Sequence, residues 1–164
     1  AYLIGKKYLA EKDYNQATTY LLQSTKSSNT DWAHQSYIYL AQIMNMNKNY
    51  EQGRTYARRA YELDKSNGEP FIIIGQLYAA SAKDCGTGDF YSKTAFWAAV
   101  DQFEKAKSID PSLKDKANEL INAYVHHFPT IESIFFNGFE EGQDFTIEGC
   151  WINETTKVRA AKTE

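Results

Sequence analysis

Small residues recur along the first half of the chain with a period of 36 residues. Gly5 is followed by Ala41 at this spacing, and Tyr14 is followed by Tyr50. A small residue in one helix lets a second helix approach closely, and larger residues at i+3 and i+4 fill the rest of the contact. The polar residues before the two tyrosines are expected to reverse the chain. Each unit is therefore predicted to be a helical hairpin that needs a neighbour to bury its apolar face.

A third unit starts at Gly75 and is interrupted. In the first unit the small residue of the second helix, Ala17, lies 12 positions after Gly5. The corresponding residue of the third unit, Ala99, lies 24 positions after Gly75. About a dozen residues are therefore inserted between the two helices of the third unit.

The insertion contains the segment Cys-Gly-Thr-Gly, which invites comparison with a phosphate-binding loop. Such a loop needs two glycines about five positions apart, followed by Lys and Ser or Thr. Gly86 and Gly88 are only two positions apart, and Lys93 lies well beyond them. We therefore predict a flexible turn that tolerates insertion rather than a nucleotide site.

The repeated pattern resembles the tetratricopeptide repeat (TPR), in which a small residue and an aromatic precede an Asp-Tyr-x-x-Ala segment and a closing Asp-Pro. Residues 13–17 and the pair Asp110-Pro111 match this motif, while Lys65 stands where the repeat often has proline. The resemblance implies an all-α fold: a TPR-like solenoid of about three helical hairpins over residues 1–129. A helix ending near His127 is expected to cap the last hairpin.

Residues 130–164 are predicted to form a separate C-terminal tail that is rich in β-structure. Residues 145–152 and 155–159 have strand-like composition, and the Asn-Glu pair between them suggests a hairpin turn. The insertion and the tail together are similar to those of exported TPR proteins from Bacteroidetes-type bacteria. That resemblance implies a location in the periplasm or cell envelope. Because the chain starts at Ala1 with neither an initiator Met nor a signal peptide, we interpret it as a piece of a longer protein.

The TPR resemblance also implies a binding surface. In TPR arrays the first helix of each hairpin lines a concave groove, where amides bind the backbone and apolar side chains bind the anchors of a peptide or partner helix. Carried onto this chain, the repeat register assigns ten residues to the groove: Tyr2, Lys6, Leu9, Gln35, Ile38, Gln42, Asn45, Glu69, Ile72 and Gln76. The basic clamp with which one TPR subclass holds a carboxylate is absent, since only Lys6 is basic among the matching positions.

Two cysteines, Cys85 and Cys150, leave two interpretations open. They are too few for a disulfide scaffold or for a structural zinc site. In one interpretation they are small unpaired hydrophobic residues. In the other they form a disulfide that ties the insertion to the tail of an exported protein.

Other kinds of chemistry find little support in the sequence. The net charge of −3 gives no basic face for nucleic acid, and no apolar run approaches the ~20 residues of a membrane span. His126 and His127 are adjacent, so on a helix they point in different directions and do not form an i, i+4 metal pair. No cofactor is indicated, and no nucleophile-elbow spacing is present.

We therefore predict a non-catalytic protein–protein interaction module that presents a concave groove to a peptide or partner segment. The alternative is a structural scaffold segment of a larger cell-envelope protein, whose groove is filled by its own tail. An enzyme is the third and least favoured class. The position of the aromatic tail residues 135–151 discriminates between the first two, because their packing in the groove would favour the scaffold.

Overall fold

The computed structural model describes residues 1–163 and is mostly helical, with one small two-stranded sheet in the tail. This confirms the predicted all-α class. The α-helices are α1 Tyr2–Ala10, α2 Tyr14–Ser24, α3 Thr30–Met46, α4 Tyr50–Leu63, α5 Glu69–Ala80, α6 Gly88–Tyr91, α7 Ala95–Ile109, α8 Lys114–Tyr124 and α9 Ile131–Phe136. The strands are β1 Asp144–Thr146 and β2 Thr155–Lys157.

The helices pack in successive pairs. The pairs α1–α2, α3–α4 and α5–α7 each form a hairpin, and neighbouring hairpins meet through α2 with α3 and α4 with α5. The turns inside the first two hairpins share one conformation, because Lys12 and Lys48, 36 positions apart, both adopt a positive φ, of 59° and 58°. Beyond the third hairpin, α8 packs on α7 and a 3-10 turn, Val125–His127, continues it.

In each hairpin the two helices approach closely at one position, where at least one of the two facing residues is small. A Cβ added at Gly5 would meet the Leu21 side chain at 2.8 Å, and one added at Gly75 would overlap the Phe103 ring. At the equivalent place in the second hairpin both residues are small, Ala41 and Ala57, and both are 0% exposed. The small-residue pattern of the sequence therefore corresponds to close helix contacts.

The second and third hairpins also end alike. Asp64 and Asp110, the residues that follow α4 and α7, each accept hydrogen bonds from the serine two positions later. The serine hydroxyl is the main reason that the pKa of each carboxyl lies below its ordinary value. Asp110 also accepts a hydrogen bond of 3.1 Å from the backbone N–H of Gly68, which ties the end of α7 to the start of α5.

The insertion has short regular elements on both sides of the irregular residues Gly86 and Thr87. It forms a 3-10 turn, Ala82–Cys85, followed by α6. Phe90 of α6 is 3% exposed, and its ring stacks on Phe139 at 5.3 Å and meets Phe145 at 5.9 Å. The insertion is held by tail residues about 50 positions away, which a local pattern does not reveal.

The tail forms a β-hairpin, as predicted, but its strands are shorter than predicted. Strands β1 and β2 pair antiparallel, with Phe145 opposite Thr156, and residues 147–154 form the connection instead of a two-residue turn. Cys150 lies in this connection and forms a disulfide with Cys85, which draws the connection away from the ladder toward the insertion. Ile147, Ile152 and Val158 belong to the same hydrophobic cluster as α5 and α7, so position 130 does not separate two cores.

Replacing Gly75 with alanine is expected to lower the free energy of unfolding by about 1–3 kcal/mol, because the new methyl group overlaps Phe103. An unobstructed helix site would instead gain up to about 1 kcal/mol from the better helix propensity of alanine. Urea denaturation of Gly75→Ala, Phe103→Leu and the double variant measures the coupling. A destabilised single variant that Phe103→Leu partly rescues is expected; a stabilised Gly75→Ala variant contradicts the close contact.

The disulfide closes a loop with a sequence separation of 65 residues. Loop-closure entropy predicts that Cys85→Ser/Cys150→Ser loses about 4 kcal/mol of unfolding free energy relative to the oxidised native chain. Urea denaturation with and without reductant measures this, and reductant is expected to remove most of the difference. Alkylation of both thiols in the native chain without reductant would contradict the pairing.

Candidate partner-binding groove

Eight of the ten predicted groove residues keep at least part of their surface exposed on the first helices of the hairpins, α1, α3 and α5. They are Tyr2, Lys6, Leu9, Gln35, Gln42, Asn45, Glu69 and Gln76. Their side chains are mostly polar, and four of them are amides. This row of eight residues is called the groove row below.

The two isoleucines assigned to the groove do not belong to it. Ile38 and Ile72 are each 1% exposed and lie in the main hydrophobic cluster. The reason is that α3 and α5 pack directly against each other, so position 38 and its counterpart at 72 face the core. The prediction of aliphatic anchors at these two positions was wrong.

Aromatic side chains flank one end of the groove row. The ring of Tyr2 stacks on Trp32 with centroids 5.6 Å apart, and Lys6 Nζ lies 5.7 Å from the Tyr2 ring centre. Burial raises the pKa of the Tyr2 phenol, and the neighbouring Tyr39 adds to the rise. The repeat register did not assign Trp32 to the groove, although positions 32, 35, 39 and 42 share one helical face. Trp32 is 43% exposed and offers an apolar surface.

A cavity of about 410 Å³ lies at the α5 end of the groove row. Its lining includes Lys83, Lys93, His127 and Phe96. Ala79 and Ala80 of α5 also line it, three and four positions after Gln76 and thus on the same helical face, so the cavity continues the row that contains Gln76. Neither lysine forms an ion pair with another residue of the range 1–163, which leaves both charges available.

The two histidines have different surroundings. His127 stacks on Phe96 at 5.3 Å and lines this cavity, whereas His126 Nδ1 lies 2.7 Å from the carbonyl oxygen of Lys162. Across residues 1–163, no three His, Cys, Asp or Glu side chains gather closely enough to hold a metal ion. Over the same range, no helix has the length and apolar composition needed to cross a bilayer.

The tail is anchored through Trp151, which makes no hydrogen bond or ring contact with the groove row. Its ring stacks on Tyr50 at 6.0 Å and lies 5.2 Å from the ring of Tyr78. Its indole N–H donates to the hydroxyl of Ser81 at 3.0 Å. Trp151 therefore fills the space between the start of α4 and the end of α5.

Arg54 of α4 fixes the tail backbone in this position. Its guanidinium donates to the carbonyl oxygens of Trp151 and Ile152, at 2.9 and 2.8 Å, and lies 4.7 Å from the Trp151 ring centre. It also donates to the hydroxyl of Tyr78, which in turn donates to Glu154. Burial, followed by this hydrogen bond to Glu154, raises the pKa of Tyr78 well above its ordinary value.

A second anchor joins the end of the tail to α7. The indole N–H of Trp97 donates to the carbonyl oxygen of Arg159 at 2.8 Å. Arg159 donates in return to the carbonyl oxygen of Trp97 and to Asp101, at 2.8 and 2.9 Å. The tail is thus held by α4, by α7 and by the C-terminal end of α5.

The tail therefore leaves the groove row open. Within residues 1–163, its hydrogen bonds and ring contacts with the hairpins involve α4, the later part of α5, the insertion and α7, and none involves a residue of the groove row. The scaffold hypothesis in which the tail fills the groove has no such contact to support it.

Trp151→Ala is expected to lower the free energy of unfolding by about 3 kcal/mol, because a large ring leaves a packed site. Phe136→Ala is the matched control: Phe136 lies in the same tail but is 90% exposed, so a change of at most about 0.5 kcal/mol is expected. Thermal and urea unfolding compare the two. Equal effects would contradict the anchoring role of Trp151.

Comparison with known proteins names no relative: no family model matches the chain, and neither a curated protein nor a solved structure is significantly similar to it.

Proposed function

We propose that the protein is a non-catalytic protein-interaction module of the TPR type, which binds a partner segment along the first helices of its hairpins. The family assignment is supported by structural features that recur in successive units. The turns at Lys12 and Lys48 have the same conformation. A glycine faces a large side chain in both the first and the third hairpin, Gly5 with Leu21 and Gly75 with Phe103. In such an array, stacked hairpins hold a row of side chains at fixed spacing.

One observation carries this proposal more than any other: the aromatic tail is anchored on α4, α7 and the C-terminal end of α5, and it makes no hydrogen bond or ring contact with the groove row. The tail is the part of this chain best suited to fill a groove, because it has aromatic side chains and extended backbone. Since Trp151 and Arg159 are already engaged elsewhere, the groove row is free to receive a different segment.

The groove row suggests the chemistry of the partner. The amides of Gln35, Gln42, Asn45 and Gln76 each offer a donor and an acceptor, as the backbone of an extended peptide requires. Trp32 at one end offers a surface for an apolar side chain. The lysine-lined cavity at the other end fits an acidic group. The proposed partner is therefore an extended segment with an apolar residue near one end and a carboxylate near the other.

Export to the periplasm or cell envelope is part of the proposal. The disulfide between Cys85 and Cys150 supports it, because disulfides form and persist in oxidising compartments.

The test uses the isosteric pair Gln42→Glu/Gln76→Glu, which removes two amide donors and adds repulsion toward carbonyl oxygens. The matched control is Gln16→Glu/Gln23→Glu, the same chemical change at exposed positions of α2. Partners are captured from extracts of the source cells, identified, and titrated against the three proteins by calorimetry. Two lost hydrogen bonds predict a loss of affinity of about tenfold or more in the groove variant and none in the control.

A partner that binds the native protein and the groove variant equally would contradict the proposal. So would a partner that the α2 control loses to the same extent, because the charge change alone would then explain the result. Cooperative thermal unfolding of both variants verifies that the fold is retained.

A further inference from the structure

The short helix α9 exposes an unusual amount of aromatic surface. Phe135 and Phe136 are 81% and 90% exposed, and Ile131 is 49% exposed. The helix is nevertheless firmly placed: Ile134 is 1% exposed, and the Thr130 hydroxyl accepts a hydrogen bond from the backbone N–H of Ser133. Contiguous exposed apolar surface of this kind marks interaction sites in soluble proteins.

An apolar groove of about 470 Å³ lies along this helix. Its apolar lining is formed by Ile131, Ile134, Phe135 and Phe139. The volume falls within the range of sites that accept a large side chain or a small ligand. None of these residues belongs to the groove row, so this α9 groove is a second surface.

The rim of the α9 groove is acidic. Glu132, Glu140 and Glu141 line it beside the apolar residues. None of the three forms an ion pair with a residue of the range 1–163; Glu141 only accepts a hydrogen bond of 2.9 Å from the backbone N–H of Ala160. An apolar floor is thus surrounded by uncompensated negative charge.

This charge distinguishes between the occupants that an apolar groove can have. A second copy of the chain, docked through the same groove, would place three carboxylates against three others. An anionic membrane surface or a nucleic acid would be repelled in the same way, and charge complementarity across an interface favours the opposite sign. A cationic partner with an apolar anchor meets both requirements.

We propose that the α9 groove binds a basic amphipathic segment of another protein. An aromatic or aliphatic side chain of that segment occupies the floor between Ile131 and Phe139, and flanking Lys or Arg side chains pair with the glutamates of the rim. Phe135 and Phe136 extend the apolar contact on the helix surface. The pairing with the rim makes the interaction dependent on ionic strength.

The probe is a fluorescent amphipathic peptide of leucine and lysine, and its matched counterpart has glutamate in place of every lysine. Binding to the native chain is measured by fluorescence anisotropy in low and physiological salt. Phe135→Ser/Phe136→Ser removes the aromatic surface at exposed positions, and Glu132→Lys/Glu140→Lys reverses the rim. Glu51→Lys/Glu119→Lys, at exposed positions of α4 and α8, is the control for net charge.

The proposal predicts that the Leu/Lys peptide binds and the Leu/Glu peptide does not. Affinity is expected to fall about tenfold or more in both α9 variants, and no more than about twofold in the charge control and in Gln42→Glu/Gln76→Glu. Equal binding of the Leu/Lys peptide to the Phe135→Ser/Phe136→Ser variant overturns it.

Two further outcomes overturn the proposal in favour of other occupants. One is sedimentation of the native chain as a dimer that Phe135→Ser/Phe136→Ser converts to a monomer. The other is a native chain that does not bind the Leu/Lys peptide but binds phosphatidylglycerol vesicles, while the Phe135→Ser/Phe136→Ser variant does not bind the vesicles.

Discussion

The guanidinium of Arg54 joins the helical hairpins to the tail. Two consecutive carbonyl groups, those of Trp151 and Ile152, lie in a connection without strand pairing, and buried carbonyls need a hydrogen-bond donor. Arg54 supplies donors to both, while its flat surface covers the Trp151 ring. With this contact in place, Ile152 is buried and Glu154 can accept from Tyr78. The disulfide holds the same connection from its other side.

The molecule therefore has two sides: one contacts the tail, and the other does not. The side formed by α4, α7 and the C-terminal end of α5 buries the tail, and Arg54, Trp97 and Asp101 on this side bond to it. The side formed by α1, α3 and α5 keeps amides, the Trp32 surface and a lysine-lined cavity available. Stability and the proposed binding therefore draw on different residues, so substitutions in the groove row can be made without loosening the tail.

The sequence predicted what local spacing determines. Gly5 and Ala41 mark hairpins, and Lys12 and Lys48 mark their turns, because those contacts lie within one unit. The burial of Ile38 was not predictable in the same way, since it depends on how α3 meets α5 in the next hairpin. The cavity at Lys83 was not predicted for the same reason: its walls come from α5, the insertion, α7 and the 3-10 turn that follows α8.

Tertiary contacts also determine what the sequence did not predict in the insertion and the tail. The contacts of Phe90 with Phe139 and Phe145 come from beyond the last hairpin, so no local pattern reveals them. The strand-like residues 147–152 have a suitable composition for pairing, but the disulfide and Trp151 hold them elsewhere. In the tail, these long-range contacts outweigh the local preference.

The most direct test of this account is hydrogen exchange of the native chain, followed by mass spectrometry of peptides from the tail and from α5 and α7. The amides of Ile147 and Val158 donate to Glu154 and Gln143 within the tail. If the tail is part of the core, peptides from 144–158 exchange as slowly as those of α5 and α7, through cooperative unfolding. Exchange of the tail within seconds, while the helices stay protected, would contradict the account.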